Sequence, residues 1–207
     1  MKAKTKKNGI ISTKEKILKT SILLIEKQGL DQFSLRKLAE KIKMDPMAVY
    51  HYFTSKEELI VTCLEFIFQD FCNPKKTNIL ETQGTSLEGK AKHNQTKEYD
   101  YFRLQTLLGH YRKKYLVHPN LCKFLLNHPN LIIKDIDAFN DMLIKEIQIS
   151  VPNLVEAILI RDVLVDFIHG FGLAEISIAK KNKIQKLELE SKFQKSIHFL
   201  IRKLLRS

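Results

Sequence analysis

Apolar residues recur at three- and four-residue intervals along most of the chain, and no segment alternates between turn signals, so the pattern predicts an all-α protein. The clearest stretch is Phe33 to Leu59. Leu35, Leu38, Ala39 and Ile42 fall at i, i+3, i+4 and i+7, one stripe on a helix of about two turns, with Ser34 placed to cap it. Lys43-Met44 makes a turn. Asp45 then caps a second short helix with Pro46 at its first position, where a missing N–H costs nothing. Val49 and Phe53, four apart, face the core. Ser55 and Glu58 form a capping-box pattern, so a third helix starts near Lys56 and runs to about Phe71. Its inward positions are Leu59, Cys63, Phe66 and Ile67.

Residues 73–97 are polar, hold Pro74, Gly84 and Gly89 and show no period; they read as a loop or insert. Helices follow over about 98–117, 131–149, 153–181 and 187–205. Between the first two stands an internal echo, His118-Pro119-Asn120-Leu121 and His128-Pro129-Asn130-Leu131, each proline marking a turn between helices. The organisation expected is a basic arm (1–11), a three-helix unit (12–72), the polar segment (73–97) and a larger helical domain (98–207). The helix near 153–181 is apolar nearly all round and must be covered on more than one side, with Gly170, Gly172 and Ala174 leaving room for a neighbour. The last helix offers Leu189, Phe193, Ile197, Leu200, Ile201, Leu204 and Leu205.

The second short helix has an unusual outer face. Met47, Ala48, Tyr50, His51 and Tyr52 are aromatic, polar or small where an ordinary surface helix carries Lys and Glu. A bihelical unit of this size can lay its second helix in the major groove of DNA. Met47, Ala48 and His51 are the candidates for base edges. Arg36 is a candidate because arginine binds guanine O6 and N7 with two bonds. Lys56, beside the N–H groups of a helix start, suits phosphate and is expected to reach outward past Glu57 and Glu58. Tyr52 either contacts phosphate or packs on the preceding helix. Ser34 completes the DNA-facing set.

Charge agrees without locating the site. The formal net charge is +12, favouring a polyanionic partner. Residues 1–60 carry thirteen Lys/Arg against seven Asp/Glu, and residues 180–207 carry nine against two. Lys2, Lys4, Lys6 and Lys7 either follow the DNA or form a basic tail of no fixed role. Cys63, Cys72 and Cys122 lack paired metal-ligand spacing, and an odd number with no secretory signal reads as reduced thiols in the cytoplasm. The seven histidines hold no i, i+4 pair, so no metal site is expected. Gly170-Phe171-Gly172 follows no strand and is no nucleotide loop. No cofactor, catalytic constellation or membrane span is expected; charges at Glu156, Arg161, Asp162 and Asp166 interrupt the most apolar stretch.

Several features in order resemble the DNA-binding domain of the TetR (tetracycline-repressor) family of bacterial regulators: Leu35-Arg36-Lys37-Leu38-Ala39, Val49-Tyr50-His51-Tyr52-Phe53 and Lys56-Glu57-Glu58-Leu59. Ahead of them, Lys16 to Gln28 looks like that family's first helix, ending at Gly29. Val165 to Glu175 resembles a helix of the family's ligand-binding half. Lys43 stands where the family has glycine, at a cost of roughly 1 kcal/mol if φ is positive, and Thr20-Ser21 replaces a small apolar pair. The resemblance implies phosphate contacts by Tyr50 and Lys56, and a base or phosphate contact by Arg36. It implies homodimerisation through the helices near 153–181 and 187–205 as a four-helix interface, and a near-palindromic DNA operator. It further implies a small-molecule effector held inside the bundle, for which Phe102, Leu107, His110, Tyr111, Phe124, Leu125, Phe139, Met142, Phe167 and Phe171 are candidates. The function expected is a ligand-responsive regulator, a repressor first. A non-specific architectural DNA-binding protein and a helical enzyme with a basic surface are the alternatives.

Overall fold

The computed structural model describes residues 12–69, 71, 94–179 and 183–205, and every regular element among them is a helix. In chain order these are α1 Thr13–Gln28, α2 Leu35–Ile42, α3 Pro46–Tyr50, α4 Lys56–Phe68, α5 Asn94–Val117, α6 Pro119–Leu126, α7 Lys134–Gln148, α8 Leu154–Ala179 and α9 Lys183–Leu204. The chain divides into two units. The first runs to Phe66 and includes Asn120–Pro129; the second holds the rest.

In the first unit α1 starts at Ser12, whose Oγ accepts the Glu15 N–H at 3.2 Å, and stops at Gly29, which takes φ 82°. Ile17, Leu18, Ile22 and Ile25 of α1 bury against Leu35, Leu38, Ala39 and Ile42 of α2 and against Val49, Phe53, Leu59 and Cys63. Ser21 is fully buried among them, and its hydroxyl donates to the Ile17 carbonyl at 2.8 Å, which satisfies that buried polar atom. α6 completes this unit. The Glu26 carboxylate accepts the N–H groups of Asn120 (3.0 Å) and Leu121 (3.1 Å), and Asn120 Nδ2 donates to the Ile25 and Glu26 carbonyls. Burial pushes the Glu26 carboxyl upward, and these two N–H bonds oppose that shift.

In the second unit α8 packs on α5, α7 and α9. Leu104, Leu108 and Tyr115 of α5 meet Leu143 and Ile147 of α7, Leu164 and Ile168 of α8, and Phe193, Ile197 and Ile201 of α9 in a continuous core. Gly172 permits the closest approach: a Cβ there would lie 2.7 Å from the Tyr115 ring. Arg112, 4% exposed, is neutralised by Glu175, 3% exposed, through Nη2 at 2.7 Å.

Some sequence-based expectations are corrected. α5 begins at Asn94, inside the segment 73–97 expected to be irregular, and α4 ends at Phe68 rather than Phe71. α7 begins at Lys134 rather than Leu131, with Asp135 and Asp137 in its first turn where the helix dipole favours them. α9 begins at Lys183, four residues early. The arm 1–11, residues 73–93 and Cys72 lie outside the described residues. Phe193, Ile197, Ile201 and Leu205, expected to meet a second subunit, are buried inside their own unit. A four-residue apolar period records burial and does not say against what. The apolar surface left outward lies elsewhere: Val155, Leu159, Val163 and Leu173 on α8, and Leu187 and Phe199 on α9.

Candidate nucleic-acid interface

Two anchors set the rotation of α3. Val49 is fully buried and Phe53 1% exposed, so the opposite side of this short helix must face out. Asp45 Oδ1 accepts the Met47 N–H at 2.7 Å and opens the helix; the His51 N–H closes it on the Met47 carbonyl at 3.2 Å. Met47 (65% exposed), Tyr50, His51 and Tyr52 stand outward and Ala48 is half-buried. Met47, Tyr50 and Tyr52 together leave an apolar and aromatic patch facing outward on one short helix.

The turn before α3 is held by Lys43 at φ 59°, ψ 49°, with the Met44 N–H bonded to the Ala39 carbonyl at 2.9 Å. At the start of α2, Ser34 Oγ accepts the Lys37 N–H at 3.3 Å, which fixes the first turn and leaves Arg36 exposed. Ser55 Oγ accepts the Glu58 N–H at 3.0 Å as expected, but the Glu58 carboxylate turns to the Thr54 N–H and hydroxyl, both 2.6 Å, instead of the Ser55 N–H. Those two bonds, the hydroxyl first, hold the Glu58 carboxyl below its ordinary range.

Lys56 differs from expectation. It does not reach outward past Glu57 and Glu58: Nζ donates to the Leu30 carbonyl at 2.7 Å and lies 5.9 Å from the Phe33 ring centroid. A carbonyl and an aromatic face compete for the ammonium, and local sequence around Lys56 gave no sign of either. Lys14, Lys37 and Lys43 are exposed cations of the same unit that spacing alone did not single out among so many lysines.

The residues expected around a ligand do not share one cavity. Tyr111 and Phe139 stack with centroids 5.5 Å apart in a cluster with Phe68 and Phe71, and the Tyr111 hydroxyl lies 2.7 Å from His169 Nε2. Burial holds His169 below the usual histidine value, and nearby Asp166 opposes this. Phe167 and Phe171 form a second cluster with Phe193. Leu107 is core and Met142 half-buried. Phe124 and Leu125 belong to α6 in the other unit, where Phe124 stacks on His128 at 4.0 Å. Phe102 and His110 line a groove against α9. Phe71 and His169 join the aromatic cluster without having been anticipated; the spacing of Phe68 and Phe71 was the available signal.

Residues 17–63 match the family model described as bacterial regulatory proteins, tetR family. No curated protein matches the chain in sequence. Among solved structures the fold is similar to a TetR variant from Acinetobacter baumannii AYE in complex with minocycline, at TM-score 0.66 and 16% identity over 95% of this chain and 98% of that one. It is also similar to BioQ with its natural double-stranded DNA operator, at TM-score 0.61 and 14% identity over 95% and 99%. A third is the Streptomyces coelicolor TetR family protein ActR in complex with actinorhodin, at TM-score 0.62 and 14% identity over 94% and 97%.

Proposed function

We propose that this chain, whose residues 17–63 match the family model of bacterial regulatory proteins of the tetR family, is a cytoplasmic, homodimeric repressor released from a near-palindromic operator by a small molecule. The observation that carries the reading is the outward face of α3. Met47, Ala48 and His51 meet base edges, Tyr50 and Tyr52 meet phosphate, and Arg36 reaches the same groove from the start of α2. Lys56 contacts phosphate with the N–H groups not given to Leu30. A twofold dimer through the outward apolar residues of α8 and α9 presents two such faces to successive turns of the major groove. Among the described residues, no helix is long and apolar enough to cross a membrane.

Ligand binding in the helical domain changes the packing of the bundle, α4 moves, and the two copies of α3 lose register with the operator. A useful shift in occupancy requires a differential affinity of a few kcal/mol between the two arrangements. The test is a gel shift with the duplex just upstream of the gene and with a scrambled duplex. A complex that prefers the native duplex and weakens with salt is expected. Tyr50→Ala and Lys56→Ala each weaken it, and Lys56→Ala also reduces the slope of log affinity on log salt by about 1. Equal affinity for both duplexes would refute the reading.

A further inference from the structure

Helices α5 and α9 flank a groove of about 620 Å³. Its walls include apolar surface that the fold leaves outward: Phe102 is 64% exposed, Val117 57%, and Leu116 lies with them. Gly109 lies along its length, and a Cβ built there would meet no atom within 4 Å. The groove is therefore open where α5 could have carried a side chain.

Its polar wall is built to hold a carboxylate. Arg112 Nη1 donates to Glu190 Oε2 at 2.7 Å, and Gln194 Nε2 donates to Glu190 Oε1 at 2.9 Å. Gln105 Nε2 donates to Gln194 Oε1 at 2.8 Å, which turns the NH₂ of Gln194 toward that carboxylate. Arg112 is fixed independently of Glu190. Its Nε and Nη2 bind Glu175, and its guanidinium lies 4.1 Å over the Phe193 ring. Its charge is thus neutralised inside the core, while Nη1 is aimed at the groove. Glu190 is different: its side chain is half exposed, so water would solvate the carboxylate if it left.

We propose that this groove is the effector site and takes an amphipathic organic anion, whose carboxylate replaces that of Glu190 on Arg112 and Gln194 while its apolar body lies along Phe102, Leu116 and Val117. The exchange conserves charge and hydrogen bonds at the donors and adds burial of apolar surface on both sides. It releases a side chain of α9, a helix assigned above to the dimer, and so gives binding a route to quaternary structure. The proposal deepens the ligand-responsive reading and rests on it for the regulatory consequence; binding itself is measured without DNA.

The experiment titrates the full-length protein with dansylaminoundecanoate and with its uncharged methyl ester, following dansyl fluorescence. Glu190 competes for the same donors in the native chain, so acid and ester are expected to bind within about threefold of each other there, and the preference for charge is read in the Glu190 variants. Glu190→Ala vacates the donors and tightens the acid by about tenfold while leaving the ester unchanged; Glu190→Gln moves in the same direction by less. Gly109→Phe fills the groove and abolishes binding of the acid without lowering the thermal midpoint. Acid and ester binding alike in Glu190→Ala would overturn the proposal. So would a weaker or unchanged acid in Glu190→Ala, the result a cationic ligand class predicts, or intact binding in Gly109→Phe. Gel shifts on the same preparations separate the two readings: lost groove binding with an intact operator complex sinks only the groove, and the converse sinks only the regulator.

Discussion

Lys43 occupies left-handed backbone angles that a side chain with a Cβ adopts at a cost of about 1 kcal/mol. Lys43→Gly is therefore expected to raise stability by roughly 1 kcal/mol, less a few tenths for the greater freedom of unfolded glycine, read as a higher urea midpoint. Burial depresses His169 below 6.5, and His110 and His118 shift in the same direction, also chiefly by burial. The unfolded chain then binds more protons than the folded one as pH falls through 6.5, so the stability these groups contribute is complete above that value and lost below it. The thermal midpoint should fall between about pH 7.5 and about pH 5.5, and His169→Phe should flatten the slope. An unchanged slope would remove His169 from the account. The raised carboxyl of Glu26 acts with the opposite sign nearer 4.5. Caps such as Ser34 and Asp45 were legible in the sequence because their partners lie two or three residues away. The Lys56 contact with Leu30 was not, since 26 residues separate them.

Among elements, the crossing of α5 and α8 turns on one missing methyl. Gly172→Ala sets a Cβ 2.7 Å from the buried Tyr115 ring, and should cost about 1–3 kcal/mol despite alanine's better helix propensity. Gly109→Ala meets nothing and should instead gain up to about 1 kcal/mol. Chemical denaturation of the two variants side by side checks both signs. The sequence marked Gly170, Gly172 and Ala174 as room for an approaching helix. It could not tell that Gly172 serves the chain's own Tyr115 while Gly170 faces open space. The order of α2, α3, α4, α5, α7, α8 and α9 followed from apolar period and capping, whereas the two His-Pro pairs signal only turns and hide α6, which opens on Pro119. Starts slipped at α5 and α9 because their first turns are largely polar, and at α7 because the apolar run Leu131-Ile132-Ile133 ahead of it mimics a helical start.

For the molecule as a whole, the proposed dimer rests on the outward residues of α8. Leu159 is 61% exposed, so Leu159→Glu should change the stability of the single chain by no more than about 0.5 kcal/mol while shifting sedimentation toward a monomer. Operator affinity should fall with it, since each half-site contact then binds alone. A dimer that persists would mean the interface lies elsewhere. The outward face of α3, proposed above to meet DNA, stood out before the fold because one short helix lacked ordinary surface residues. The residues expected around a ligand fall in separate clusters, because aromatic residues serve cores and pockets alike, and on α5 Phe102 and Tyr111 lie on different faces. One further consequence follows from Glu26, whose carboxylate receives the first N–H groups of α6. A fragment cut after α4, however natural a boundary it looks, would strand that half-buried acid and leave the Ile25 and Glu26 carbonyls without the Asn120 amide that now binds them. Anyone grafting this DNA reader onto another protein should carry the short helix at 119–126 along as well.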